Sequence, residues 1–293
     1  MLLSMKVLAG PASPRLGREV AKHLGCDILD YKHARFPDTS FYAKIEFPDK
    51  VKDEACILVQ SCITDEDIVE MLILQDMLHE AKCSEVIAVA PYFGGYSRQD
   101  KVFQSGEPLS ARAIARHFEM EATAFFSVDV HNPVVLDAFT IPAANLSPAA
   151  AFAPLLKQRK VDLVVAPDKG AQERAERAAA ALGVECDHLE KRRLDAYTVE
   201  ITPSKADVKG KRIAIVDDVI STGGTVIKAR EMLLKQGAVE VTAVCTHGLF
   251  ALFNRDRIPL LEGLDVACTD AIENEFSKVT LGGVIAEAIE KKK

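Results

Sequence analysis

The chain has 293 residues, 48% of them hydrophobic and 27% charged, with a formal net charge of −7. That length suits two ordinary domains of a soluble globular protein, and the acidic balance excludes broad nucleic-acid binding, which needs a basic surface. Seven scattered cysteines without a C-x-x-C pair, no apolar run of membrane length and too short an apolar start for a signal peptide point to a cytoplasmic protein with reduced thiols and no membrane partner.

Apolar runs alternate with helical patterns along nearly the whole chain, the signature of an α/β protein with a largely parallel sheet. A first strand is expected at residues 6–9. Phe36-Pro37-Asp38 then offers an aromatic face for a base and an acceptor for an exocyclic amine, on a tripeptide common to many loops. After a strand ending at Pro91 and a Gly94-Gly95 turn comes Tyr96-Ser97-Arg98-Gln99-Asp100. A further strand, 123–128, leads into Asp129-Val130-His131, and a histidine at a strand's carboxyl end can meet phosphate or its metal. The domain boundary falls near Asn145 to Pro148, dividing the chain into 1–146 and 147–293, with a helix over 149–158.

In the second half a strand at 161–165 precedes the loop Ala166-Pro167-Asp168-Lys169-Gly170-Ala171. Its N–H groups and Lys169 suit a phosphate, and Asp168 suits a metal or a hydroxyl. Lys191-Arg192-Arg193 reads as a mobile basic loop before a strand at 197–202. Such cations meet the charge on transferring phosphoryl oxygens. The strongest signal is RIAIVDDVISTGGT at 212–225, in which a run of β-formers ends in Asp217-Asp218. The loop Ser221, Thr222, Gly223, Gly224, Thr225 follows, then a helix at 226–235. Strand, Gly-rich turn and helix start make an anion site from free N–H groups and the helix dipole. The loop has no lysine, so a monophosphate fits better than a triphosphate, and the acid pair accepts neutral hydroxyls or Mg²⁺. A sugar phosphate satisfies both halves.

The halves repeat. VKDEACILVQS from Val51 resembles VKGKRIAIVDD from Val208, 157 positions on (208 less 51). EAKCSEVIAVAP around Ala81 resembles KQGAVEVTAVCT around Ala238, again 157 on (238 less 81). Where the second copy has its acid pair and STGGT, the first has Gln60-Ser61 and Thr64-Asp65-Glu66-Asp67. Acidic side chains without glycines cannot cradle a phosphate, so the first copy is expected to serve another purpose.

Together these residues resemble the ribose-phosphate pyrophosphokinases, and the resemblance runs almost end to end. It rests on RFPD at 35–38, YSRQD at 96–100, VDVH at 128–131 and APDKGA at 166–171. It continues with KRR at 191–193, VDDVISTGGT at 216–225, THGLF at 246–250 and LGGVIAEAI at 281–289. The resemblance implies two tandem type I phosphoribosyltransferase-like domains, each a mostly parallel sheet flanked by helices, with the last helix packing back on the first domain. It implies transfer of the pyrophosphoryl group of ATP to the anomeric hydroxyl of ribose 5-phosphate, with Mg²⁺ as cofactor and AMP released. Phe36, Asp38, Arg98, Gln99 and Asp100 would bind ATP. Asp217, Asp218, Ser221, Thr222, Gly223, Gly224 and Thr225 would bind ribose 5-phosphate. His131 and Asp168 would serve the metal, and Lys191, Arg193 and His131 the catalysis. A homo-oligomer with an adenine site shared between subunits is implied as well.

Three departures from the common bacterial pattern give the set an archaeal look and bear on regulation by ADP and phosphate. Thr39-Ser40 replace Gly-Glu, Lys169-Gly170-Ala171 replace Ala-Gly-Gly, and Ser221 replaces an Asp. A base phosphoribosyltransferase would need only one such domain with a hood. A non-catalytic nucleotide-binding relative would be expected to lose the acid pair or the basic residues.

Overall fold

The computed structural model describes residues 5–193, 199–203, 205–250 and 264–292, with the backbone alone at 191–193 and 199–202. Two compact units emerge: Met1–Ser147 with Ala271–Glu273 and Thr280–Lys293, and Pro148–Asp270 with Asn274–Val279.

The first unit is built on β1 (Met5–Ala9), β2 (Asp27–Ile28), a separate hairpin of β3 (Tyr31–Arg35) and β4 (Phe41–Ile45), then β5 (Ala55–Val59), β6 (Glu85–Ala90), β7 (Ala124–Val128) and β8 (Ala143–Leu146). Its sheet runs β2-β1-β5-β6-β7-β8, all parallel. The central runs ACILV and AFFSV are buried throughout, as strands covered on both faces must be. Three helices, α1 (Pro14–Leu24), α2 (Asp65–Glu80) and α3 (Ser110–Phe118), follow β1, β5 and β6. Proline opens α1 and left-handed Gly25 closes it.

The later chain completes this unit. Glu273 accepts the backbone N–H of Arg15 at 2.7 Å and of Leu16 at 2.8 Å, and its other oxygen takes the Arg15 guanidinium at 3.0 Å. The carboxylate thus caps a helix whose own Ser13 makes no side-chain cap. The last helix, Gly282–Lys292, packs on α1. A Cβ on Gly282 would stand 2.8 Å from the Glu19 Cβ, so glycine is needed for that approach.

The second unit has α4 (Ala149–Gln158), β9 (Leu163–Ala166), α5 (Gln172–Leu182), β10 (Glu185–Arg193), β11 (Val199–Pro203), β12 (Arg212–Ile220), α6 (Gly224–Lys235), β13 (Glu240–Gly248), β14 (Asp265–Thr269) and β15 (Ser277–Val279). Its order is β11-β10-β9-β12-β13-β14-β15, parallel except for the β10–β11 pair. The final helix is α7.

The internal repeat is visible in register. Val7 pairs with Ile57 on β5, and Val164 pairs with Ala214 on β12, both residues 157 further along. The interval does not persist as the sequence comparison expected. Ala55 pairs with Glu85 whereas Arg212 pairs with Glu240, so after the helix the copies lie 155 apart (240 less 85). The helix between these strands is 16 residues long in the first copy and 12 in the second, and the chain around it is where the register changes.

Two further expectations are corrected. Lys191-Arg192-Arg193 is not a loop but the end of β10, paired antiparallel to β11, with Lys191 opposite Ile201 and Arg193 opposite Val199. Val199, Ile201 and Thr202 of β11, all β-branched, favour a ladder over a loop. The acid pair does not end its strand either: β12 runs on to Ile220, with Val219 opposite His247 and Ile220 opposite Gly248.

Candidate functional site

Alternation along β12 decides where each carboxylate goes. Ile213 and Ile215 pack with Val226, Ala229 and Leu233 of α6, whereas Ala214 and Val216 pack with Ala175, Ala178 and Ala179 of α5. Continuing the period puts Asp217 on the α6 side and Asp218 on the α5 side. There the Arg174 guanidinium of α5 lies 3.5 Å from the Asp218 carboxylate, with both side chains largely buried. Asp217 accepts the N–H of Asp218 at 2.9 Å, and Asp218 accepts that of Val219 at 2.9 Å. Burial pushes the Asp217 carboxyl up to about 8, helped by the negative charges of Asp218 and Asp168.

Beyond Ile220 the chain turns through Ser221 and Thr222, both exposed, into Gly223 at φ 72°, ψ −6°. Only glycine adopts that left-handed geometry freely. Gly223 is the residue just before α6, a helix with no side-chain cap and no acidic residue in its first turn. Its leading N–H groups therefore await an acceptor, beside the exposed hydroxyl-bearing Thr225. The corresponding helix of the first unit is the reverse case. Thr64 and Asp67 form a capping box at the start of α2, and Asp65, Glu66 and Asp67 fill its first turn. That helix start is already occupied and negatively charged.

The loop after β9 is a single 3-10 turn, Lys169–Ala171, capped by the Asp168 side chain, which accepts the Ala171 N–H at 3.1 Å. Asp168 and Lys169 are exposed. One oxygen of Asp168 is spent on the turn, and the other is left for a ligand or cation.

In the first unit the candidates also gather at carboxyl ends of parallel strands, where ligands of open α/β sheets bind. Arg98 and Gln99 follow β6 and are exposed, and Gln99 accepts the Ser110 hydroxyl at 2.6 Å. Asp100 accepts the side-chain amide of Asn132, the residue after exposed His131. That bond joins the segment after β6 to the segment after β7. Asp129, at the root of the latter, is buried with φ 49°, a strained conformation for a non-glycine residue. Phe36 and Asp38 sit apart at the tip of the β3–β4 hairpin. Phe36 is 52% exposed and meets Tyr42 edge-on at 5.6 Å. Asp38 accepts the Ser40 N–H at 3.0 Å and hydroxyl at 2.6 Å, which hold its carboxyl below the usual range. Arg35 ties the hairpin to α2 through Glu66 at 3.1 Å and through Glu70. Among the described residues no hydrogen bond or ion pair links Phe36 or Asp38 to Arg98, Gln99 or Asp100.

The side chains of Lys191 and Arg193 lie outside the described residues. Arg174 and Asn132 were missed by sequence reasoning. Arg174 carried a faint signal: it is four residues before buried Ala178, on the core-facing side of an alanine-rich helix. Asn132 carried none. Among the described residues no three His, Cys, Asp or Glu side chains converge to cage a metal.

Comparison with known proteins bears on this arrangement. Residues 5–121 match the family model for the N-terminal domain of ribose phosphate pyrophosphokinase, and residues 143–277 match that for the phosphoribosyl transferase domain. The chain is 40% identical to a ribose-phosphate pyrophosphokinase of Methanopyrus kandleri over 98% of this chain and 99% of that protein. It is 38% identical to one of Pyrococcus abyssi over 98% of this chain and 100% of that protein. A crystal structure of phosphoribosylpyrophosphate synthetase from Mycobacterium smegmatis superposes with a TM-score of 0.82 at 26% identity, covering 99% of this chain and 98% of that one.

Proposed function

The chain belongs to the ribose-phosphate pyrophosphokinase family, and from that premise we propose how its residues divide the work. The enzyme transfers the pyrophosphoryl group of ATP to the anomeric hydroxyl of D-ribose 5-phosphate, yielding 5-phospho-α-D-ribose 1-diphosphate and AMP. The observation that carries the division is the uncapped start of α6 under a hydroxyl-rich turn, with the acid pair at its base. The N–H groups there and the hydroxyls of Ser221, Thr222 and Thr225 take the 5-phosphate. Asp217 and Asp218 accept hydrogen bonds from the ribose hydroxyls. Gripping the sugar at its far end fixes the anomeric oxygen, which is catalysis by positioning.

ATP falls to the first unit. Arg98, Gln99 and Asp100 take its phosphates, with His131 meeting them or their cation. Phe36 stacks on adenine, and Asp38 accepts from its exocyclic amine. The hairpin bearing both exposes most of its side chains, along with Phe36 and 42% of Tyr42. A solvent-facing aromatic tip of that kind serves a neighbouring copy better than its own chain. We therefore assign a homo-oligomer with a shared adenine site.

The donor set fits Mg²⁺. The family uses it, and the repulsion that Asp218 and Asp168 exert on Asp217 is what a hard cation relieves. Asp168 would hold a cation that serves the ribose, and His131 would meet one carried by the nucleotide. Such a cation would offset phosphate charge and so ease attack at the β-phosphorus. Lys191 and Arg193 meet the negative charge on the transferring oxygens. No general base is assigned.

The test is AMP release by purified protein with Mg²⁺, measured with ATP and ribose 5-phosphate together and with each alone. Release that requires both substrates supports the assignment. Release without ribose 5-phosphate, or none with both, sinks it.

A further inference from the structure

Two cysteines of the first unit lie against each other outside every residue assigned above. Cys56 is fully buried on β5, beside Lys6 of β1. Cys83 is partly exposed in the turn between α2 and β6. Their sulfurs are 3.1 Å apart although 27 residues separate them in sequence. Thiols in ordinary van der Waals contact stand farther off, and a disulfide closes at about 2.05 Å. Backbone hydrogen bonds hold both sides in place. The Asp53 N–H donates to the Lys82 carbonyl and the Ser84 N–H to the Glu54 carbonyl, each at 2.9 Å. The Cys83 N–H itself donates to Leu78 at 3.3 Å. The turn carrying Cys83 is thereby laced to the turn preceding Cys56, which fixes the two stretches of backbone from which the sulfurs project.

We propose that Cys56 and Cys83 form a thiol pair that oxidises reversibly to an intramolecular disulfide by exchange with small linear disulfides. Cys83 is the entry point, since it alone of the two reaches solvent. Its thiolate attacks one sulfur of the external disulfide, breaks that S–S bond and expels one thiolate. The hydrogen bond to Cys83 and burial hold the Cys56 thiol well above its ordinary range, so its proton passes to the departing external thiolate as its sulfur attacks the Cys83 sulfur of the mixed disulfide and the second thiol leaves. Two protein thiols are oxidised, and one external disulfide is reduced to two thiols. The hydrogen bond the pair shares favours the Cys83 thiolate against the opposing effect of burial, which aids the first attack. The second is aided by proximity, because the attacking sulfur already lies beside its target.

The experiment uses the full chain and glutathione disulfide as probe, with peptide mapping and intact mass. Wild type is expected to lose about 2 Da, the two thiol hydrogens, and to yield a linked Cys56–Cys83 peptide. Its thermal midpoint should rise by several degrees and fall back with dithiothreitol. Cys56→Ser should stop at a glutathione adduct on Cys83, and Cys83→Ser should show neither adduct at that position nor linkage. An adduct that persists on Cys83 in wild type would overturn the proposal. So would adducts shared evenly among Cys83 and the other partly exposed cysteines, Cys26 and Cys186, with no linked peptide.

Discussion

Arg174 reaches across from α5 to within 3.5 Å of Asp218, and the two side chains are only 19% and 10% exposed. The pair anchors the α5-side carboxylate, while the strand's alternation turns Asp217, one residue earlier, to the α6 side. Removing one member of a pair this enclosed strands the other charge.

Arg174→Met should lower unfolding stability by up to about 3 kcal/mol, because Asp218 would keep its burial and lose its cation. It should also raise the KM for ribose 5-phosphate about tenfold or more, with a smaller effect on that for ATP. Urea unfolding and initial-rate kinetics on the same preparation check both. Unchanged stability with unchanged KM would refute the role.

Asp217 makes the stability of the ligand-free enzyme depend on pH. Its carboxyl rises from 3.8 unfolded to about 8 folded, so the folded state holds the proton more tightly. The stabilisation is complete below the unfolded value and is lost as pH rises through the window to about 8, with a ceiling slope of about 1.4 kcal/mol per pH unit. Asp217→Asn should flatten this slope between pH 5 and 8 and should be the more stable protein at pH 8. Parallel slopes for the two proteins would refute the assignment. The same variant should bind ribose 5-phosphate more weakly.

Gly223→Ala places a side chain at φ 72°, at a cost of about 1–2 kcal/mol. The strain falls on the turn proposed to take the 5-phosphate. The expected result is a raised KM for ribose 5-phosphate with ATP affinity nearly unchanged. In the wild type, ribose 5-phosphate should slow amide exchange at residues 223–226, read by mass spectrometry.

Lys191→Ala should cut turnover about a thousandfold, as loss of a cation at transferring phosphates does, with ribose 5-phosphate affinity nearly unchanged. Phe36→Ala should fail chiefly in ATP binding. If the adenine site is shared, unfolding and co-refolding the two variants together restores activity, because some sites then combine an intact Phe36 with an intact Lys191. A mixture no more active than its parts would show that each chain builds its own site.

Much of this was legible in the chain. The turn before α6 announces itself because glycine at φ > 0, hydroxyls and adjacent acids form one local pattern, and local patterns survive in sequence. The repeat was legible where strands pair directly, as at Val7 and Val164, and misjudged beyond the helix, where a two-residue contraction leaves no mark in the apolar pattern. The basic triplet looked like a loop because its own residues are polar, and it is a strand because of the partner opposite. Arg174 was hidden for a related reason: its meaning comes from a carboxylate 44 positions later (218 less 174), a distance over which sequence carries no geometry. Ser40, a departure from the common pattern, turns out to pin Asp38 by two hydrogen bonds, which only coordinates reveal.

The first unit borrows its finishing pieces from the other end of the polypeptide. Glu273 caps α1, and α7 covers that helix across Gly282. During synthesis, then, the amino-terminal half emerges first yet must wait, with one helix face bare and one helix start uncapped, until residues 280–292 have left the ribosome. The order in which the chain is made is not the order in which its units are completed.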